Sequence, residues 1–166
     1  MAIGATSRIA LLIDDEPEYL GWVVEYLSSV EIQSEFSTSL NEALTSIQEK
    51  NYRLMLVDMN IPAEGAAAAL AKNAVQQKYP GIIAAVKARS RGYGAHQVIA
   101  YTVHDDDAAD AELAKLNCRY VLKGRPEALK AVIQASLRPH PPSRTPKPPA
   151  RRRLPRGGRH LTGINQ

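Results

Sequence analysis

The sequence predicts a doubly wound α/β domain built on a five-stranded parallel sheet, and three observations carry that prediction. Short, nearly all-apolar runs recur along the chain and alternate with segments of helical periodicity. The runs lack the polar alternation of a half-solvated antiparallel strand, which argues for strands covered on both faces. Two of them end abruptly on carboxylates, in "IALLIDDEP" (residues 9–17) and "LMLVDMNIP" (residues 54–62). A charge at the edge of a core is costly unless something pairs with it. In open α/β sheets that edge, beyond the carboxyl ends of the strands, is where ligands bind.

Residues 8–13 read as the first buried strand. In "EPEYLGWVVEYLSS" (16–29), Leu20, Val23, Val24 and Leu27 fall at helical spacing, and Trp22 is most simply packing on that helix. "EIQSEFST", from Glu31, alternates as a short strand ending at Phe36. Ser39 has the chemistry of an N-cap, with Glu42 at the capping-box position, and opens a helix carrying Leu40, Ala43, Leu44 and Ile47. Residues 53–57 make the third strand. The Ala-rich stretch 63–80 and the following "GIIAAVKARSRGYG" (81–94) are both helical by propensity. "QVIAYT" (97–102) is the fourth strand. "DDDAADAELAKL" (105–116) is a polar helix whose acid-rich start suits the macrodipole, so "HDDD" (104–107) needs no metal to explain it. "RYVLK" (119–123) is the fifth strand. In "PEALKAVIQASL" (126–137), Leu129, Val132, Ile133 and Leu137 share one face, and Pro126 stands where a helix starts. Right-handed crossovers favour the doubly wound arrangement, with strand order 2-1-3-4-5.

The 166 residues are 45% hydrophobic, which suits one domain with a real core. No apolar stretch approaches the roughly 20 residues a bilayer span needs. The N-terminus is a poor signal peptide. The single cysteine, Cys118, excludes an intrachain disulfide; it reads as a small buried hydrophobe and fits a cytoplasmic protein. Charge divides the chain in two. Residues 1–137 hold all 17 acidic and 13 of the 21 basic residues, a net −4, whereas 138–166 hold the other 8 basic residues and 7 of the 11 prolines, a net +8. The expected organisation is therefore a folded domain over 1–137 and a Pro/Arg-rich disordered tail over 138–166. "ARRRLPRGGRH" could contact nucleic acid or an anionic membrane surface through phosphates, fold back on the acidic domain, or simply keep the chain soluble.

In the 2-1-3-4-5 order the first and third strands are neighbours, so Asp14, Asp15 and Asp58 converge on one edge. Three carboxylates so close require raised pKa values or a bound cation. A hard divalent ion such as Mg²⁺ is the natural answer. Thr102 and Lys123, at the ends of the fourth and fifth strands, complete a pocket shaped for a small anion.

These residues resemble the receiver domains of bacterial response regulators, the phosphoacceptors of two-component systems, whose sheet is of the flavodoxin-like (βα)5 kind. The resemblance rests on the "DD" pair at 14–15, Asp58 in "LVDMNIP", Thr102 in "IAYT" and Lys123 in "YVLK", in that order, and it covers roughly residues 8–137. It implies that Asp58 accepts a phosphoryl group from a histidine kinase or phosphotransfer protein. Asp14, Asp15, Asp58 and the backbone of Asn60 would hold Mg²⁺, and Lys123 and Thr102 would contact the phosphoryl oxygens. Tyr120 would be the switch aromatic that moves with Thr102. It further implies self-phosphorylation and autodephosphorylation rather than classical enzyme turnover. Output would pass to a downstream protein, or a homodimer partner, through the face made by 105–116, 119–123 and 126–137. Three features depart from the family pattern: Gly124 instead of proline after the lysine, the branched Val103 after Thr102, and a long 63–80 segment read as an inserted or extended helix. They keep one alternative in view, a non-phosphorylated interaction module, and the basic tail keeps a second, a nucleic-acid binder that acts through the tail and is regulated by the receiver. His104 reads as a surface histidine, or as a group lying over the phosphoryl site.

Overall fold

Parallel strands buried on both faces must be largely apolar, and the three central strands are, with Thr102 at the end of β4 the one plainly polar residue. In the computed structural model, which describes residues 3–139, β1 (Ile9–Ile13), β3 (Leu54–Val57) and β4 (Val98–Thr102) contain almost no exposed residue. They are flanked by β2 (Gln33–Ser37) and β5 (Arg119–Leu122), whose outer positions meet solvent. The five strands are parallel, in the order β2-β1-β3-β4-β5.

Alternate side chains of each strand face opposite sides, so the sheet divides the core in two. Leu11, Ile13, Met55, Val57, Val98 and Ala100 pack with α2 (Leu40–Glu49), α5 (Gly81–Arg91) and α6 (Asp107–Lys115). Ala10, Leu12, Leu54, Leu56, Ile99 and Tyr101 pack with α1 (Gly21–Ser29) and α7 (Pro126–Leu137). Helices therefore cover both faces, as a doubly wound fold requires. Among the described residues no helix is long and apolar enough to cross a membrane.

The local chemistry follows the sequence in most places. Ser39 caps α2, its hydroxyl accepting from the Glu42 amide, while the Glu42 carboxylate reaches past the cap to the Thr38 amide at 2.8 Å. Pro126 opens α7. Gly92, at φ 111°, closes α5 in the left-handed conformation that glycine adopts at no steric cost. Cys118 is partly buried, and burial pushes its thiol up to about 11.

Three details differ from expectation. The first helix is split, a 3₁₀ turn at Pro17–Leu20 preceding α1. The second strand ends one residue later than expected, burying Ser37 and leaving Phe36 41% exposed. The Ala-rich stretch does not form a continuous helix. It makes two short pieces, α3 (Gly65–Ala68) and α4 (Ala74–Lys78). Asn73 breaks the run by capping the second piece, its side chain accepting from the Gln76 amide at 2.9 Å. Alanine propensity sets no boundary, whereas an Asn side chain competes for backbone amides and starts a new turn. Residues 140–166, which hold most of the Pro/Arg-rich tail, lie outside the described residues.

Candidate functional site

Strand register builds the site. Ile13 pairs with Val57, and the Asp58 amide donates to the Ile13 carbonyl at 2.8 Å. Asp14 and Asp58 thus leave the sheet side by side at its carboxyl edge. Thr102 pairs with Leu122, and the Lys123 amide donates to the Thr102 carbonyl at 2.7 Å, so β4 and β5 end at a matching level.

The Lys123 side chain then crosses to the acids. Its Nζ donates to Asp14 Oδ2 at 2.6 Å and to Asp58 Oδ2 at 2.9 Å, bridging two buried carboxylates. Burial works against the ammonium, yet the bonds to Asp14 and Asp58 and their charges outweigh it, and the Lys123 pKa is raised. The ammonium also lies 5.8 Å from the centre of the Tyr101 ring, within cation–π range. The other carboxylate oxygens take backbone donors: Asp14 Oδ1 accepts from the Glu16 amide at 2.9 Å, and Asp58 Oδ1 from the Asn60 amide at 3.2 Å.

Asp15 is exposed, but carboxylate oxygens of Asp14, Asp15 and Asp58 all lie within 4.8 Å of one another. Three carboxylates and one ammonium carry a formal charge of −2. An all-oxygen donor set with that residual charge fits a hard divalent cation.

Thr102 is fully buried, and its Oγ1 accepts from the His104 amide at 3.3 Å. A hydroxyl that accepts there keeps its own proton free to donate elsewhere. The Tyr120 hydroxyl donates to the His104 carbonyl. The structure therefore gathers Asp14, Asp15, Asp58 and Lys123 into one cluster and brings the Asn60 amide to Asp58. Thr102 and Tyr120 meet instead at residue 104. His104 is not a free surface group, since its ring packs on Tyr79 with centroids 5.4 Å apart.

Sequence reasoning missed Tyr79, Tyr101, Gly81 and the role of Asp106. The last is the N-cap of α6, its Oδ1 accepting from the Ala108 and Ala109 amides. Asp106 was detectable as one of three acids opening a helix. Nothing in "QQKYPG" signals that Tyr79 reaches Asp106, because that contact spans 27 residues.

No protein-family profile and no curated protein matches the chain in sequence. Its structure does find relatives. It superposes with a CheY-like receiver domain protein from Methanospirillum hungatei at a TM-score of 0.61 and 18% identity, over 78% of this chain and 93% of the other. The BeF3-activated N-terminal receiver domain of Klebsiella pneumoniae RstA gives 0.62 and 19%, over 79% and 99%. A two-component response regulator from Clostridium difficile gives 0.60 and 17%, over 79% and 96%. The chain has the fold of response-regulator receiver domains.

Proposed function

We propose that this chain is a phosphoacceptor receiver of a two-component phosphorelay, taking a phosphoryl group onto Asp58 from a histidine kinase or a phosphotransfer protein. One observation carries the reading: a half-buried lysine bridges two buried carboxylates at the carboxyl edge of a receiver-type sheet, beside a third carboxylate. Fold alone does not assign function, whereas this group has the parts phosphoryl transfer needs.

In this reading an oxygen of Asp58 attacks phosphorus. A bond from that oxygen to phosphorus forms, the donor's phosphorus–nitrogen bond breaks, and the donor histidine keeps the electron pair. Lys123 supplies a charged donor to the phosphoryl oxygens as negative charge shifts onto them, and the Thr102 hydroxyl supplies a neutral one. Asp14, Asp15 and Asp58, with the backbone carbonyl of Asn60, would hold Mg²⁺, which when bound neutralises charge on the phosphoryl group. Water later cleaves the acyl phosphate and restores the Asp58 carboxylate. Output passes to a downstream protein, or a second copy of the chain, through the face made by α6, β5 and α7, with Thr102 and Tyr120 as the switch pair. The basic tail remains a candidate for nucleic-acid contact, and the chain is read as cytoplasmic.

The test is intact-mass spectrometry of the full chain after incubation with acetyl phosphate and Mg²⁺. The wild type should gain the mass of one phosphoryl group and Asp58→Ala none. No gain in either protein, with a histidine kinase also failing as donor, would point to a non-phosphorylated interaction module.

A further inference from the structure

Residues 63–80 add no strand to the sheet, yet they reach the loop that follows β4. Tyr79, only 4% exposed, donates its hydroxyl to Asp106 Oδ2 at 2.9 Å, and Lys78 Nζ donates to the same oxygen at 3.2 Å. The Lys78 ammonium lies 5.1 Å from the centre of the Tyr79 ring, and that ring packs on His104. Just before Tyr79 in the chain, α4 packs on α6. The segment thus holds the 103–106 loop at residues 104 and 106 and fastens itself to the helix beyond.

Residue 104 links this hold to the site. Its amide donates to Thr102 Oγ1 and its carbonyl accepts from the Tyr120 hydroxyl. With an oxygen lone pair occupied by that amide, the Thr102 hydroxyl has its proton left to donate. That is the arrangement a phosphoryl oxygen requires of it.

We propose that Tyr79 is a positioning residue for the site: through Asp106 and His104 it holds residues 103–106 where Thr102 and Tyr120 both engage residue 104, making 63–80 a built-in clamp on the switch loop. The clamp rests on the phosphoacceptor reading. A ligand shifts a two-state loop only by its differential affinity, and it binds more tightly when the competent state is already populated. The clamp therefore raises the affinity of the resting protein for a phosphoryl group.

The test uses the full chain with beryllofluoride and Mg²⁺ as the phosphoryl mimic. Binding is followed by the fluorescence of Trp22, which packs against the apolar cluster that contains Tyr101, the ring beside Lys123. Tyr79→Phe removes one hydroxyl and should weaken beryllofluoride binding about twofold to tenfold, the effect of one hydrogen bond. Tyr79→Ala should weaken it further. Hydrogen exchange supplies a second readout that needs no ligand: in both variants the amides of 103–109 should exchange faster, while those of β1 and β3 keep their protection. Unchanged exchange in both variants would overturn the clamp. Faster exchange with unchanged beryllofluoride affinity would overturn the positioning role. If the wild type binds no beryllofluoride, the phosphoacceptor reading falls and with it the positioning role, while the exchange data alone decide whether the clamp exists.

Discussion

The two loops beside the acidic cluster are built in opposite ways. After β4, the 103–106 loop is held through backbone and side chain by Thr102, Tyr120, Tyr79 and Lys78, and the start of α5 presses on the neighbouring β3 loop. After β5, Gly124 is exposed at φ 85°, and a Cβ built there would meet nothing within 4 Å. Lys123 sits at the root of this open loop, tied by its amide to Thr102 and by its ammonium to Asp14 and Asp58. One flank is crowded and bonded from several elements, and the other is open beyond Lys123.

The largest effect should come from removing the Lys123 charge. Lys123→Met leaves Asp14 and Asp58 buried without their shared cation, and uncompensated buried charge costs about 3–5 kcal/mol. Denaturant unfolding should show that loss, and added Mg²⁺ should recover part of it by supplying positive charge. Phosphoryl acceptance from acetyl phosphate should fall about a hundredfold, the effect of one electrostatic donor.

Next in size is Gly81→Ala, on the packed flank. The Gly81 amide donates to the Met59 carbonyl at 2.9 Å, and an added Cβ would lie 1.9 Å from the Asp58 carbonyl oxygen. Relieving that clash must move the backbone of Asp58 itself. A stability loss of about 3 kcal/mol is expected, together with slower phosphorylation in a stopped-time assay. Gly124→Ala, on the open flank, meets no atom and costs only its left-handed backbone, about 1 kcal/mol. Its phosphorylation rate should stay close to wild type. Equal effects from the two glycine substitutions would erase the distinction between the flanks.

The smallest effect is a pH dependence. The Tyr79 hydroxyl, then Lys78 and the Ala109 amide, lower the Asp106 carboxyl from 3.8 to about 2. A carboxylate lowered on folding stabilises above its unfolded pKa, and that contribution disappears as pH falls through the folded value. The stability difference between wild type and Asp106→Asn should therefore shrink between pH 4 and about pH 2 in urea titrations.

Much of this was legible in the sequence for a physical reason. Strands buried on both faces must be written as apolar runs, so β1, β3 and β4 announced themselves. A run that ends on Asp14 or Asp58 marks the edge where charge is tolerated. Strand order then brought the two acids together, and Lys123 was placed by its position at the end of β5. Short-range chemistry was also readable, as at Ser39 and Pro126. The route of residues 63–80 was not. Alanine favours a helix without saying where it stops, and the capping by Asn73 and the reach of Tyr79 to Asp106 depend on where the chain turns in space. The meeting of Thr102 and Tyr120 at residue 104 was hidden for a related reason: a backbone amide and carbonyl carry no sequence signal.

Reductive trapping asks whether Asp58 is the phosphoacceptor. The chain is incubated with acetyl phosphate and Mg²⁺, treated with borohydride to reduce any acyl phosphate to an alcohol, and mapped by peptide mass spectrometry. Homoserine is expected at position 58 alone, dependent on Mg²⁺. Reduction at Asp14 or Asp15 instead, or none at any aspartate in a chain proven folded and bound to Mg²⁺, would contradict it.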